Sequence, residues 1–401
     1  MSADRRQPMT AADAVRLFAI YFPQLHAIPE NDRWWGPGFT DWNNVKRARP
    51  LYADHYQPRV PAGRVYYDQA DPRVIRRQVD MAREYGLAGF CHYHYWFEGK
   101  QLLEKPTNLF LEMKELDLEF CLSWANETWS RRWDGQEHHI LQLQTHTPSK
   151  AAWGAHFDYL VRAWTDWRAL RIDGRPVFMI YRPDKIERVG EMFDYWQSRA
   201  REHGLDGLYF VAVQQYAPLS FEVVRHFDAI FRFQPAVSRG SLSERQPPFY
   251  KRHFPRLRAA IPRPLAIRLQ SLIDSFNPTT RLDYEQIWQQ IIDAPVDRAV
   301  TTFEGAYVDW DNTARYGKRA TVYEGARPER FQYWLERLVD KVRANNRPEE
   351  RIVFINAWNE WAEGAYLEPD ERYADRYLQA VRAVASTQHV ERGRKAIHLL
   401  D

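Results

Sequence analysis

Two glutamates three residues apart, Glu360 and Glu363, stand among tryptophans in the stretch Asn356-Ala-Trp-Asn-Glu-Trp-Ala-Glu-Gly-Ala-Tyr-Leu-Glu-Pro-Asp370. Making or breaking a glycosidic bond asks for such a pair, one carboxyl group to protonate the leaving oxygen and a second to act as nucleophile or base. The neighbouring Trp358, Trp361 and Tyr366 suit the same task, because the apolar faces of a sugar ring stack on aromatic rings while its hydroxyls bind carboxylates and amides. Elsewhere on a chain a Glu-X-X-Glu pair is a solvated surface feature. If the backbone turns helical here, the spacing puts both carboxylates on one side; if it stays extended, they diverge.

The pair follows directly on residues 351–355, an apolar β-branched and aromatic run that reads as a buried parallel strand. Seven further strands are expected at 17–22, 88–94, 118–124, 176–182, 208–214, 228–233 and 299–303, and the strand that opens at 351 is expected to reach 357. Helical patterns separate them: one opens at Asp71-Pro72, and others fall near 108–115, 150–170, 186–203, 284–292, 328–345 and 373–385. Eight strands alternating with helices predict a (β/α)8 TIM barrel with extended loops at the C-terminal face of the strands, the face that carries active sites. Inner-layer positions such as Ile20, Val177, Val211 and Val353 are branched and apolar, as a barrel core requires.

Polar and aromatic residues gather at the expected strand ends. The candidate substrate-binding set is Asp41 and Trp42 in the long loop after the first strand, His92, His94, Tyr95 and Trp96 after the second, and Trp124, Asn126 and Glu127 after the third. Tyr181, Gln214, Glu304, Trp310 and Asp311 follow on later strands, and Trp358, Asn359 and Trp361 flank the carboxylates. Glu127 is a reserve candidate for the acid. His92-X-His94 on a strand points two imidazoles the same way, but a metal site needs ligands from other strands, and the ends of strands four to six offer no His or Lys. Neither metal nor cofactor is expected, and the two histidines read as substrate hydrogen-bonders or members of an aromatic layer.

Composition narrows the partners. The 401 residues carry 56 basic and 53 acidic side chains, a formal charge of +3 that lacks the footprint of a nucleic-acid binder. Aromatic residues make up 15% of the chain, suiting a cleft that stacks on flat ligands. Cys91 and Cys121 offer no disulfide framework and read as buried thiols in a reducing compartment. Residues 1–10 lack the pattern of a signal peptide, and no run is long enough to span a membrane. A cytoplasmic protein is expected, with room for recruitment to a membrane-associated polysaccharide-assembly complex. Residues 235–280 form an Arg- and Pro-rich insertion between strands six and seven, and with no internal repeat or linker the whole of 1–401 is expected to be one domain.

Several long motifs in fixed order are similar to those of a known group: Tyr21-Phe-Pro-Gln-Leu-His26, Pro29-Glu-Asn-Asp-Arg-Trp-Trp-Gly36, Gly38-Phe-Thr-Asp-Trp42, Trp124-Ala-Asn-Glu127, Arg131-Arg-Trp-Asp-Gly135 and Trp358-Asn-Glu-Trp-Ala-Glu-Gly364. Together they resemble the WbsX-type proteins, which are related to glycoside hydrolase family 99, the endo-α-mannosidases. The resemblance implies a (β/α)8 barrel acting on glycans, in a group associated with bacterial O-antigen or capsule assembly and frequently labelled glycosyltransferase. It also implies roles for a Glu-Trp-X-Glu motif: Glu360 deprotonates the sugar's own 2-hydroxyl, giving an anhydro-sugar intermediate, and Glu363 is the general acid, then base.

The expectation is therefore metal-independent, retaining cleavage or transglycosylation of an α-linked, mannose-like oligosaccharide or polysaccharide, including lipopolysaccharide O-antigen. The alternatives are a glycosyltransferase using an activated sugar donor and a non-catalytic glycan-binding subunit. Donor use has only the spacing of Asp309-Trp-Asp311 in its favour, with no Gly-rich phosphate loop.

Overall fold

The computed structural model describes residues 14–245 and 279–397. The N-terminal segment 1–10 and residues 246–278 of the Arg/Pro-rich insertion lie outside the described residues. Eight parallel strands close on themselves: β1 (Arg16–Tyr21), β2 (Gly89–Phe97), β3 (Glu119–Trp124), β4 (Arg175–Ile180), β5 (Tyr209–Gln214), β6 (Ala229–Arg232), β7 (Thr301–Tyr307) and β8 (Ile352–Asn356). Each pairs with the next, and β8 returns to β1 with Leu17 opposite Val353. The expected (β/α)8 barrel is thus the observed fold.

Helices α1 (Pro72–Glu84), α2 (Lys105–Glu112), α3 (Lys150–Trp164), α4 (Val189–Glu202), α5 (Phe221–Val224), α6 (Tyr284–Asp293), α7 (Pro328–Asn345) and α8 (Arg376–Ile397) follow the strands in turn. Their starts are written locally. Asp71, Ser149 and Asp283 accept hydrogen bonds from the backbone N–H groups of Arg73, Ala152 and Gln286, satisfying first-turn donors of α1, α3 and α6.

Side chains alternate between two apolar layers. Phe18, Ile20, Val177, Val211, Phe231, Phe303 and Phe354 fill the lumen, whereas Leu17, Phe90, Phe120, Phe178, Phe210 and Val353 pack outward on the helices. Val353, expected inside, therefore faces the helices; Ile352 and Phe354 take the lumen side of β8. A third cluster, built on Leu25, Trp42, Val45 and Trp361, packs the long loop after β1 against the turn after β8. No helix among the described residues is long and apolar enough to cross a membrane.

Candidate active site

The turn after β8 decides whether the two glutamates converge. Asn359–Glu360 and Ala365–Tyr366 pair as a two-residue antiparallel hairpin, and Trp361–Glu363 between them form a single 3-10 turn closed by Gly364 in the left-handed region at φ 68°. In a 3-10 turn, side chains three apart eclipse, so both carboxylates face the barrel mouth. The Asp311 backbone N–H donates to the Glu363 carbonyl at 2.7 Å and ties the turn to the segment after β7.

One guanidinium holds the pair. Arg315 Nη1 donates to Glu360 Oε1 at 3.1 Å and to Glu363 Oε1 at 2.6 Å, while its Nη2 donates to Asp41 Oδ2 at 2.8 Å. The guanidinium lies 5.1 Å from the ring centroids of both Phe22 and Trp133. All four charged groups are buried from bulk water or nearly so. Three carboxylates around one cation in a low-dielectric site cannot all ionise cheaply. Burial, and then the charge of Glu363, push the Glu360 carboxyl up to about 8 against the counter-pull of Arg315. Glu363 is raised by burial as well, again opposed by Arg315. The pair therefore holds a proton near neutral pH and titrates as a unit.

These groups form the floor of an open cleft of about 570 Å3 at the C-terminal ends of the strands. Rings from several loops line it, among them Trp35, Tyr95, Trp133, Tyr181, Tyr216 and Trp310. Trp35 stacks on Trp133 at 5.3 Å, joining the loops after β1 and β3. Of the residues expected to bind substrate, Tyr95, Glu127, Tyr181 and Trp310 line this cleft with Glu360 and Glu363. Glu127 pairs with Arg182 at 2.7 Å.

A second group supports the floor from behind. Asp41 fixes Arg315, and Trp42 packs on Trp361 at 5.4 Å with its indole N–H donating to the Tyr67 carbonyl. Trp361 in turn stacks on Tyr366 at 3.8 Å and donates to Glu368. Asn359 accepts from the Phe22 N–H and donates to its carbonyl, stitching β8's turn to the end of β1. Asn126 is likewise spent, bonding His146 and the Arg182 backbone. Asp311 accepts from Gln57, His55 and Thr313, and Asp309 from Arg59, so both carboxylates of the Asp-X-Asp spacing are already engaged.

The remaining expected residues lie elsewhere. On β2 the lumen side belongs to Tyr93 and Tyr95, which turns His92, His94 and Trp96 outward. His92 packs on Phe110 and Phe120 beside the Thr107 hydroxyl; His94 meets His156 at 2.8 Å between their Nε2 atoms. Burial drives both imidazoles down to about 3, so they are neutral. Trp124 and Trp358 also face the helical layer. Gln214 is in phase with the outward Phe210 and Ala212 of β5. Glu304 was expected at a strand end, but β7 runs on to Tyr307, and its carboxylate is held by Arg232 and Lys341. Among the described residues no group of three or more His, Cys, Asp or Glu is placed to hold a metal ion.

The model of the family described as glycosyltransferase WbsX matches residues 17–381. The chain belongs to the WbsX family. Two proteins named uncharacterized protein WxcX, from two strains of Xanthomonas campestris pv. campestris, are 37% and 36% identical to it over 366 residues. The match takes in 91% of this chain and 49% of each relative, so the chain spans about half the length of these relatives. In fold, this WbsX chain is similar to a family 99 endo-α-mannosidase from Bacteroides thetaiotaomicron, with a TM-score of 0.52 at 13% identity, covering 94% and 98% of the two chains. A glycoside hydrolase-like protein gives 0.54 at 11%, covering 96% and 97%.

Sequence reasoning missed Arg315. It sits on a four-residue helix, Thr313–Tyr316, more than forty positions before the carboxylates it joins, with no local periodicity to mark it. Only charge accounting could have pointed to it, since buried carboxylates require a cation. With 56 basic residues in the chain, that requirement does not choose one.

Proposed function

We propose that this chain is a carbohydrate-active enzyme that cleaves or transfers an α-linked, mannose-like residue with retention, without a metal, in bacterial surface polysaccharide metabolism. The observation that carries this reading is the common grip of Arg315 on Glu360 and Glu363 at the floor of an aromatic cleft. Two oxygens within reach of one nitrogen lie less than about 6 Å apart, under the roughly 6.5–9.5 Å that inverting pairs need for an intervening water. Membership of the WbsX family, whose model is described as a glycosyltransferase, supports action on a glycosidic bond.

In this scheme Glu360 takes the proton of the sugar 2-hydroxyl as its oxygen attacks C1, and Glu363 gives its proton to the departing glycosidic oxygen. Water or an acceptor hydroxyl then adds at C1 and gives its proton to Glu363, while Glu360 returns its own to the 2-oxygen. The reaction needs a pair carrying one proton, on Glu363. Burial raises the proton affinity of both carboxyls, so the pair shares that proton. A 2-hydroxyl donating to Glu360 favours its charged form and so moves the shared proton to Glu363.

Glu360→Gln and Glu363→Gln are each expected to lower kcat at least about a hundredfold on a cleavable glycan, the usual scale for a lost acid or base. Wild-type turnover by either variant would sink the assignment. Donor-dependent transfer is the second reading, favoured by the description of the family model. Calorimetry with nucleotide sugars tests it; the absence of heat with every donor counts against transfer.

A further inference from the structure

The cleft is cationic beyond what its carboxylates require. Arg315 is consumed by Asp41, Glu360 and Glu363, and Glu127 is neutralised by Arg182. Arg132, Arg239 and Arg319 also line the cleft, and none of them forms an ion pair with a carboxylate among the described residues. The Arg319 guanidinium donates to the Trp133 carbonyl at 2.9 Å, which aims it at the loop that closes over Arg315. Arg132 and Arg319 are exposed and Arg239 half-buried, and nothing in the catalytic pair explains three further guanidinium groups on this cleft.

Their placement is built. Arg239 lies on the helix Ala236–Arg245, the next residue of which, Gly240, rests on the loop after β5 so closely that an added Cβ would stand 1.8 Å from the Tyr216 carbonyl oxygen. That contact sets Arg239 beside the Tyr216 ring. The Tyr216 phenol feels the charges of Arg239 and Arg132 as well as those of Glu363 and Glu127. The three cations thus share one cleft with Glu363 and with the rings of Tyr216, Tyr316 and Tyr323.

We infer that the cleft selects an acidic glycan, with Arg132, Arg239 and Arg319 gripping a carboxylate or phosphate group on the sugar next to the reacting bond. Planar guanidinium forks match the oxygens of either group, and the intervening tyrosines supply the stacking face for the ring that bears it. This inference rests on the reading of the site as a glycan cleft and names the class of its substrate.

The test is binding, so that it fails separately from catalysis. Methyl α-D-mannopyranoside, the corresponding 6-carboxylate and the 6-phosphate are titrated into the 401-residue Glu363→Gln chain by calorimetry. At least one acidic probe is expected to bind about tenfold or more tightly than the neutral one, with an affinity that falls as NaCl is raised. Preference for the carboxylate identifies a uronate-type unit, and preference for the 6-phosphate a phosphorylated one. The double variant Arg132→Gln/Arg239→Gln is expected to bring the acidic probe down to the neutral affinity; both side chains are at least partly exposed, and thermal unfolding checks that the variant is folded. Equal affinity for all three probes, or an acidic preference that survives the double variant, would overturn the inference. An acidic preference together with full turnover by Glu363→Gln would keep it and remove the catalytic assignment instead.

Discussion

Arg315 is the residue on which the candidate site turns, because it is the single positive charge shared by Asp41, Glu360 and Glu363. A guanidinium favours the ionised form of each carboxylate, so its removal raises their proton affinity. Arg315→Met is therefore expected to move the acidic limb of the kcat/KM profile to higher pH and to lower the maximum; an unchanged profile would show that the cation plays no part in the protonation of the pair. The same substitution strands Asp41 in the interior, at a cost of about 3–5 kcal/mol. Arg315→Lys is expected to restore much of the stability but not the geometry, since an ammonium cannot present parallel donors to three acceptors. At this scale the sequence was half legible. Glu360 and Glu363 announced themselves through their tryptophan neighbours, whereas those tryptophans, Trp358 and Trp361, turned out to be packing residues rather than stacking platforms.

Among the elements, the turn after β8 does the positioning. Gly364 has φ 68°, and a Cβ there would lie 3.1 Å from the Asp311 nitrogen. Gly364→Ala is expected to cost about 1–2 kcal/mol from the left-handed backbone alone. Because the strain is relieved by moving the turn, kcat should fall by about tenfold or more, out of proportion to the loss in Tm; matched small losses in both would mean that the turn tolerates displacement. The strands and most helices could be placed from apolar runs and caps. The facing of β2 could not, because all nine of its residues are buried and the polar–apolar alternation that reveals a half-exposed strand is absent. Of the two roles open to His92 and His94, substrate hydrogen bonding fails for that reason, and packing in an aromatic layer is the one observed. Glu304 was misplaced for another: β7 continues through Gly305 and Ala306, which carry no strand signal of their own.

For the molecule as a whole, two sets of buried titratable groups pull stability in opposite directions with pH. His92 and His94 are lowered by burial to about 3, His26 to about 4, and His156 well below its usual value of 6.5. Their contribution is fully present above 6.5 and is lost as pH falls, since the unfolded chain then binds protons that the folded one refuses. Glu360 works the other way: its contribution is complete below 4.5 and is lost as pH rises toward 8. With four imidazoles set against one carboxyl, stability should therefore peak at about pH 7. Calorimetric unfolding from pH 4 to 9 is expected to trace that dome, with Glu360→Gln flattening its alkaline side; a monotonic profile would contradict the balance. None of this was visible in the sequence, because it depends on which histidines face the helices.

The contact of Arg315 with Trp133 has one more consequence. An indole 5.1 Å from the guanidinium that binds both carboxylates lies in the electric field of the reacting pair. A proton moving onto or off that pair alters the field and, with it, the emission of the ring. Taken as the difference between the wild-type chain and Trp133→Phe, which removes the other 15 indoles from the signal, that emission reports the ionisation of the pair before any substrate has been identified.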